Sequence, residues 1–294
     1  MKIGLMLPVG GSDGPTGGMP RWADVKALAL TAESAGLDSL WIADHFFYRA
    51  PDGFVAGMHE SWTLLSAVAA LTERVELGNM VLCSTFRDPG LTAKMAAALD
   101  EVSGGRLILG VGAGWHDPEY EAFGLPTDHR FARFEEWLEI VARLVRGETV
   151  SFDGTYYKTV EANLNPMPER RIPILVAGAR PRMLRLTAEW ADAWNMAWYG
   201  APGEKVSERL NGFRAVTDEV GKPVSVTVGV VVRDPEQAPG EADPTAFAGT
   251  VPELADMFAA YEALGVDHLI VATEPVTPRS AERIAEAKQL LASR

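Results

Sequence analysis

Three stretches of this chain place chemically capable side chains directly after apolar runs. In "SLWIADHFFY" the run Ser39 to Ile42 stops at Asp44 and His45 before further aromatics. An imidazole can bond a cofactor or move a proton near neutral pH, and an adjacent carboxylate can tune or orient its neighbours. The competing reading is a satisfied structural Asp–His pair. In "GVGAGW", Gly110, Gly112 and Gly114 let backbone N–H groups come close to an anionic or planar ligand, unless they serve packing alone. A dinucleotide fingerprint requires glycine at position 115, which is Trp115, so that motif fails. In "VAGARPRML", Gly178 and Ala179 end a strand, and Arg180, Pro181 and Arg182 open a helix. Glycine, a helix N-terminus and guanidinium together suit a phosphate, although arginine at a helix start is often simply solvated.

Other reactive residue types point to plainer roles. Cys83 reads as a small buried apolar group rather than a nucleophile. His45, His59, His116, His129 and His268 are scattered with no HExxH or His-x-His spacing, so a metal site, zinc above all, is disfavoured. Trp41, Trp62, Trp190 and Trp194 are assigned to the core, and Trp115 and Trp198 to a pocket wall.

The elements that must hold these groups alternate. Apolar runs of strand length fall at Lys2 to Pro8, Asp38 to Ala43, Val75 to Leu82 and Arg106 to Gly112, then at Ile172 to Gly178, Asp192 to Ala197, Val224 to Val232 and Asp267 to Ala272. Helical patterns lie between them, such as "WADVKALALTAESAG", whose Gly36 suits a left-handed C-cap, and the C-terminal "SAERIAEAKQLLAS". Eight strands with helical crossovers predict a closed (β/α)8 TIM barrel, α/β in class, as one domain over residues 1–294, with an open doubly wound sheet as the runner-up. In such a barrel the C-terminal strand ends converge on one mouth, which is where Asp44 and His45 fall.

Three segments break the rhythm. "GWHDPEYEAFGLPTDHR" shows no sustained period. "TVSFDGTYYKTVEANLNPMPERR" carries an Asp-Gly hairpin signal. "RDPEQAPGEADPTAFAGT" reads as a mobile loop. The first two look like insertions at the mouth, flanking the helix "FEEWLEIVARLVRG".

Composition narrows the function. With 27 basic against 40 acidic residues, the net charge of -13 repels nucleic acid and anionic membranes. The lone cysteine excludes an internal disulfide, the N-terminal apolar run is short for a signal peptide, and no run of about 18 apolar residues spans a bilayer. The expected location is the cytoplasm and the expected partner a small molecule.

Taken together, "GRLILGVGAGWHDPEYEAFGLP", "RFARFEEWLEIVARLVRGETVSFDGTYY", "GLDSLWIADHF", "RVELGNMVLCSTFRDP" and "AGARPRMLRLTAEWADAWN", in this order, resemble the bacterial luciferase-like superfamily, and within it the branch that uses the deazaflavin coenzyme F420. The likeness covers essentially the whole chain. It implies a (β/α)8 barrel with insertions at the C-terminal mouth, assembled as a homodimer. It further implies that Asp44 and His45 face the flavin, with His45 handling the proton, and that a non-proline cis peptide joins Met80 to Val81 in a bulge supporting the ring. Ala113 and Gly114 would offer backbone contacts to the cofactor tail, and Gly178, Ala179 and Arg180 would lie near its phosphate. Relatives that oxidise a sugar phosphate carry glutamate where this chain has Trp115, which cannot exchange a proton; the indole implies a more apolar or aromatic substrate.

The resulting expectation is an oxidoreductase moving hydride between F420 and a small organic substrate. An FMN-dependent monooxygenase, a non-catalytic flavin-binding protein and a metal-dependent barrel hydrolase are the competing readings.

Overall fold

The computed structural model of the chain describes residues 1–11, 18–50, 53–236 and 245–294. Its barrel elements alternate in chain order: β1 Lys2–Met6, α1 Trp22–Ser34, β2 Ser39–Ile42, α2 Ser61–Leu71, β3 Glu76–Asn79, α3 Pro89–Ser103, β4 Leu107–Gly112 and α4 Arg130–Val145. There follow β5 Ile174–Ala177, α5 Pro181–Trp190, β6 Ala193–Tyr199, α6 Glu204–Val220, β7 Ser225–Arg233, α7 Val251–Ala263, β8 His268–Glu274 and α8 Pro278–Ala292. Each strand pairs in parallel with the next, β4 with β5 included, and β8 pairs back to β1. The cylinder is therefore closed as anticipated, and the open sheet is excluded.

Closure explains the uninterrupted apolar runs, because a barrel strand is covered on both faces. Outward residues pack beneath the helices: Trp194 of β6 stacks on Phe213 of α6 with ring centroids 4.3 Å apart. Inward residues fill the cylinder, where Met6, Trp41, Met80, Leu175 and Ile270 form a cluster of their own. Trp41 fits there because a glycine lies against the indole on each flanking strand. A Cβ on Gly78 would sit 2.4 Å from the indole, and one on Gly4 2.8 Å from its Nε1.

The expected third strand, Val75 to Leu82, is interrupted. It runs Glu76–Asn79, the Met80–Val81 peptide is cis, and pairing with β4 resumes at Leu82–Cys83. This kink gives Gly110 and Gly112 a packing role. A Cβ on Gly110 would lie 1.9 Å from the Asn79 carbonyl oxygen, and one on Gly112 2.8 Å from a Val81 methyl. Close strand packing accounts for Gly110, while Gly112 both packs on Val81 and lines the cavity at the barrel mouth.

The insertions are partly as read. Val150–Asp153 and Lys158–Ala162 form the antiparallel hairpin, and Gly36 takes φ +90° after α1. The stretch after β4, read as having no sustained period, contains the short helix Asp117–Ala122, whose six residues are too few to express one. An antiparallel pair, Phe47–Arg49 with Val55–Gly57, follows β2 and was not foreseen. Of the segment read as a mobile loop, 237–244 lies outside the described residues, and Phe247–Ala248 pairs with the end of β7. Among the described residues no helix is long and apolar enough to cross a membrane.

Candidate functional site

The C-terminal strand ends open into a cavity of about 930 Å³. Asp44, His45, Met80, Val81, Ala113, Gly114, Trp115, Gly178, Ala179, Arg180 and Trp198 line it, whereas Gly110 and Arg182, also singled out in the sequence, do not. This size and this mixture of apolar wall with a few convergent polar groups suit an organic ligand.

His45 follows β2 and is partly buried. Its Nδ1 lies 2.7 Å from Oε2 of Glu119, on the short helix Asp117–Ala122. Glu119 is buried, and its Oε1 accepts the backbone N–H groups of Phe46, in a short contact, and of Phe47 at 3.2 Å. A carboxylate already accepting two N–H bonds draws a third donor to its other oxygen, so the imidazole carries its proton at Nδ1. Nε2 then has no partner among the described residues and remains a lone-pair acceptor on the cavity side. The site therefore holds an oriented imidazole able to take a proton.

Asp44 does not touch His45, contrary to the idea of an adjacent pair. Its Oδ1 accepts from Ser61 Oγ at 2.5 Å and Arg87 Nη2 at 3.0 Å, and its Oδ2 from the Cys83 N–H at 2.9 Å and Arg87 Nη1 at 2.8 Å. The forked arginine contact, itself backed by Glu60, ties the end of β2 to α2 and to the loop before α3. Every acceptor direction of this buried carboxylate is taken, which suits it to bracing the wall next to His45.

The rim on the His45 side is aromatic. Trp115, 61% exposed, meets His45 edge-on at 5.6 Å between centroids and lies 6.1 Å from Tyr48. His116 stacks on Tyr48 at 5.0 Å and accepts the Arg49 N–H at Nε2, 3.0 Å away. Burial lowers its pKa and the acceptor role agrees, so this second imidazole stays neutral. Cys83 and Tyr120 share a 3.0 Å contact beneath Gly114, and burial pushes the thiol up to about 11, which leaves it inert as read from the sequence.

On the opposite side Arg180 caps α5 and makes no side-chain hydrogen bond or ion pair among the described residues, so its guanidinium is available to an anion. Arg182, its neighbour in the motif, instead lies over the Phe131 ring at 4.3 Å. Trp41, Trp62 and Trp194 are buried, as assigned. Two side chains at the cavity escaped the sequence reading. Glu119 lies within the quoted "GWHDPEYEAFGLP", but its partner is 74 residues away and no local signal pairs them. Asn195, buried on β6 and lining the cavity, looked like an interior strand residue.

Residues 1–248 match the family model described as luciferase-like monooxygenase. An F420-dependent glucose-6-phosphate dehydrogenase of Amycolatopsis mediterranei is 34% identical over 177 residues, 58% of this chain and 52% of that protein. The chain thus spans about half the length of the curated relatives it matches first. Among solved structures, an F420-dependent secondary alcohol dehydrogenase in complex with an F420–acetone adduct superposes with a TM-score of 0.80 at 19% identity, covering 97% of both chains. Riboflavin lyase with modified FMN and riboflavin gives 0.84 at 16% identity, over 100% of this chain and 92% of that one. At these identities the two structures establish a shared fold.

Proposed function

The chain belongs to the luciferase-like monooxygenase family, and from that premise we propose that it is an oxidoreductase transferring hydride between coenzyme F420 and a small organic substrate. The observation carrying this reading is the His45–Glu119 pair, which leaves Nε2 without a partner among the described residues at the wall of a cavity of about 930 Å³. The naming of relatives as F420-dependent dehydrogenases supports the choice of coenzyme.

The residues present fit such a group. Met80 and Val81 give an apolar bulge against which a flat ring can rest, Ala113 and Gly114 offer backbone beside it, and Gly178, Ala179 and Arg180 meet an anionic tail at the start of α5. When bound, the deazaflavin supplies a carbon centre that accepts or donates hydride. His45 takes or returns the accompanying proton at Nε2, Glu119 holds its ring, and Asp44 acts through the wall it braces. Trp115 and Trp198 shield the mouth, and an indole at position 115 favours an apolar or aromatic substrate over a sugar phosphate. We read the chain as one domain over residues 1–294, working as a cytoplasmic homodimer.

An FMN-dependent monooxygenase is the second reading, favoured by the family's description and by the FMN in the riboflavin lyase structure. Fluorescence titration with F420 and with FMN, followed by oxygen uptake during turnover, separates the two. Quenching by F420 without oxygen consumption supports the proposal, tight FMN binding with oxygen uptake favours the rival, and no binding of either overturns both.

A further inference from the structure

We propose that Asn195 fixes the orientation of the coenzyme's ring by accepting, at Oδ1, a hydrogen bond from the N–H of its cyclic imide edge. The assignment rests on the deazaflavin reading and deepens it.

The argument begins with Thr227 on β7. Its Oγ1 donates to the Trp194 carbonyl at 3.0 Å. A hydroxyl has one hydrogen, so toward Asn195 it can only accept. The Asn195 amide stands 2.8 Å from that oxygen and must present its NH₂ there, as observed. Oδ1 is then the side-chain atom left for the cavity, and no donor among the described residues reaches it. Asn195 is 2% exposed, so this acceptor belongs to the cavity interior rather than to the outer surface. An acceptor that faces the cavity from a buried residue, with its amide group already committed to Thr227, offers a fixed point of attachment for a ligand donor.

Its surroundings say which donor. Near Asn195 the cavity floor is apolar: Ala177 pairs with it in register, and Ala197 and Met80 meet over Gly229. Such a floor accepts a flat ring and offers one polar point of attachment. The imide N–H of a deazaflavin is the donor on that ring's inner edge, whereas the hydroxyl on the far edge is acidic and acts as an acceptor at neutral pH. β2 and β6 are four strands apart in either direction around the cylinder. His45 and Asn195 thus lie on opposite walls, so an anchor at Asn195 presents the rest of the ring toward the imidazole. Thr227 acts as a positioning residue, locking the amide without lining the cavity.

The test measures affinity rather than turnover, using the 8-hydroxy-5-deazaflavin ribitol compound and its N3-methyl analogue with the full chain. Wild type should bind the parent about tenfold or more tightly than the methylated form. Asn195→Ala and the nearly isosteric Thr227→Val should each weaken the parent by a similar factor and abolish the preference. Equal affinities in wild type, or a preference surviving in Asn195→Ala, would overturn the assignment. A preference surviving in Thr227→Val would overturn the locking of the amide. Should Asn195→Ala not fold, the wild-type pair and Thr227→Val still decide. Failure of wild type to bind either compound would overturn the coenzyme reading itself, and the assignment with it.

Discussion

The imidazole of His45 and the carboxylate of Glu119 lie 2.7 Å apart although 74 residues separate them in the chain. The pair sets which nitrogen carries the proton, because Glu119 is held by the backbone N–H groups of Phe46 and Phe47, the residues directly after His45. The loop that carries the imidazole therefore also fixes its partner.

Glu119→Gln reverses that tautomer. A glutamine can still accept the two backbone bonds at its oxygen, but its NH₂ then faces Nδ1 and forces the imidazole proton to Nε2. The expected outcome is a folded protein with turnover reduced by about a hundredfold or more. Nitrogen-15 spectra of the imidazole should show the exchanged tautomer, and an unchanged tautomer would show that Glu119 does not set it.

His45→Ala and Arg180→Ala should separate catalysis from binding. Loss of His45 should leave ring affinity within a few-fold while turnover falls about a hundredfold or more, the usual scale for a proton-transfer group. Loss of Arg180, which has no side-chain partner among the described residues, should weaken coenzyme affinity without moving the thermal midpoint. Fluorescence titration and melting curves check both; full turnover without His45 would remove it from the chemistry.

Asp44→Ala should be costly to the fold. It strands the Arg87 guanidinium, 10% exposed, with Glu60 as its remaining ion-pair partner, and leaves the Cys83 N–H without an acceptor. Breaking a buried pair from one side costs about 3–5 kcal/mol. A urea midpoint corresponding to less than about 1 kcal/mol would show that the network is not structural.

His268 predicts a pH dependence of stability. It is buried at the start of β8, its Nε2 lies 2.7 Å from Ser39 Oγ, and burial depresses its pKa from 6.5 to about 3. The unfolded chain therefore binds this proton as pH falls below about 6.5, while the folded chain does so only near 3. Stability from this group is constant above that window and declines through it, by about 1.4 kcal/mol per pH unit. His268→Gln removes the titration, so denaturation curves between pH 4 and 6, about where most carboxylates have yet to protonate fully, should fall less steeply than in wild type. Parallel slopes would show that His268 does not resist protonation.

Much of the architecture was legible in residue order. Eight apolar runs located eight barrel strands, because a parallel strand buried on both faces must be apolar almost throughout, and that constraint is local. The Asp153–Gly154 turn and Gly36 were readable for the same reason: each needs only the backbone preferences of one or two residues. The pocket wall at Trp115 and Trp198, and the place of His45 at a strand's end, followed from the strand reading plus one topological rule about the barrel mouth.

Pairings between distant segments were not readable. Asp44 beside His45 looked like a couple, yet the chain direction at the end of β2 sends one carboxylate inward to Arg87 and leaves the imidazole for Glu119 on a helix too short to show a period. Gly110 suggested ligand approach, but the kink at Asn79–Val81 on the neighbouring strand is what requires its missing side chain. Asn195 gave no sign at all, since its meaning depends on a Thr227 hydroxyl already committed to Trp194. Sequence alone determined the elements and the face on which chemistry gathers, because propensity and burial act over a few residues. Only the closed barrel decided which polar atoms are satisfied and which remain open, because hydrogen-bond partners are chosen by distance in space.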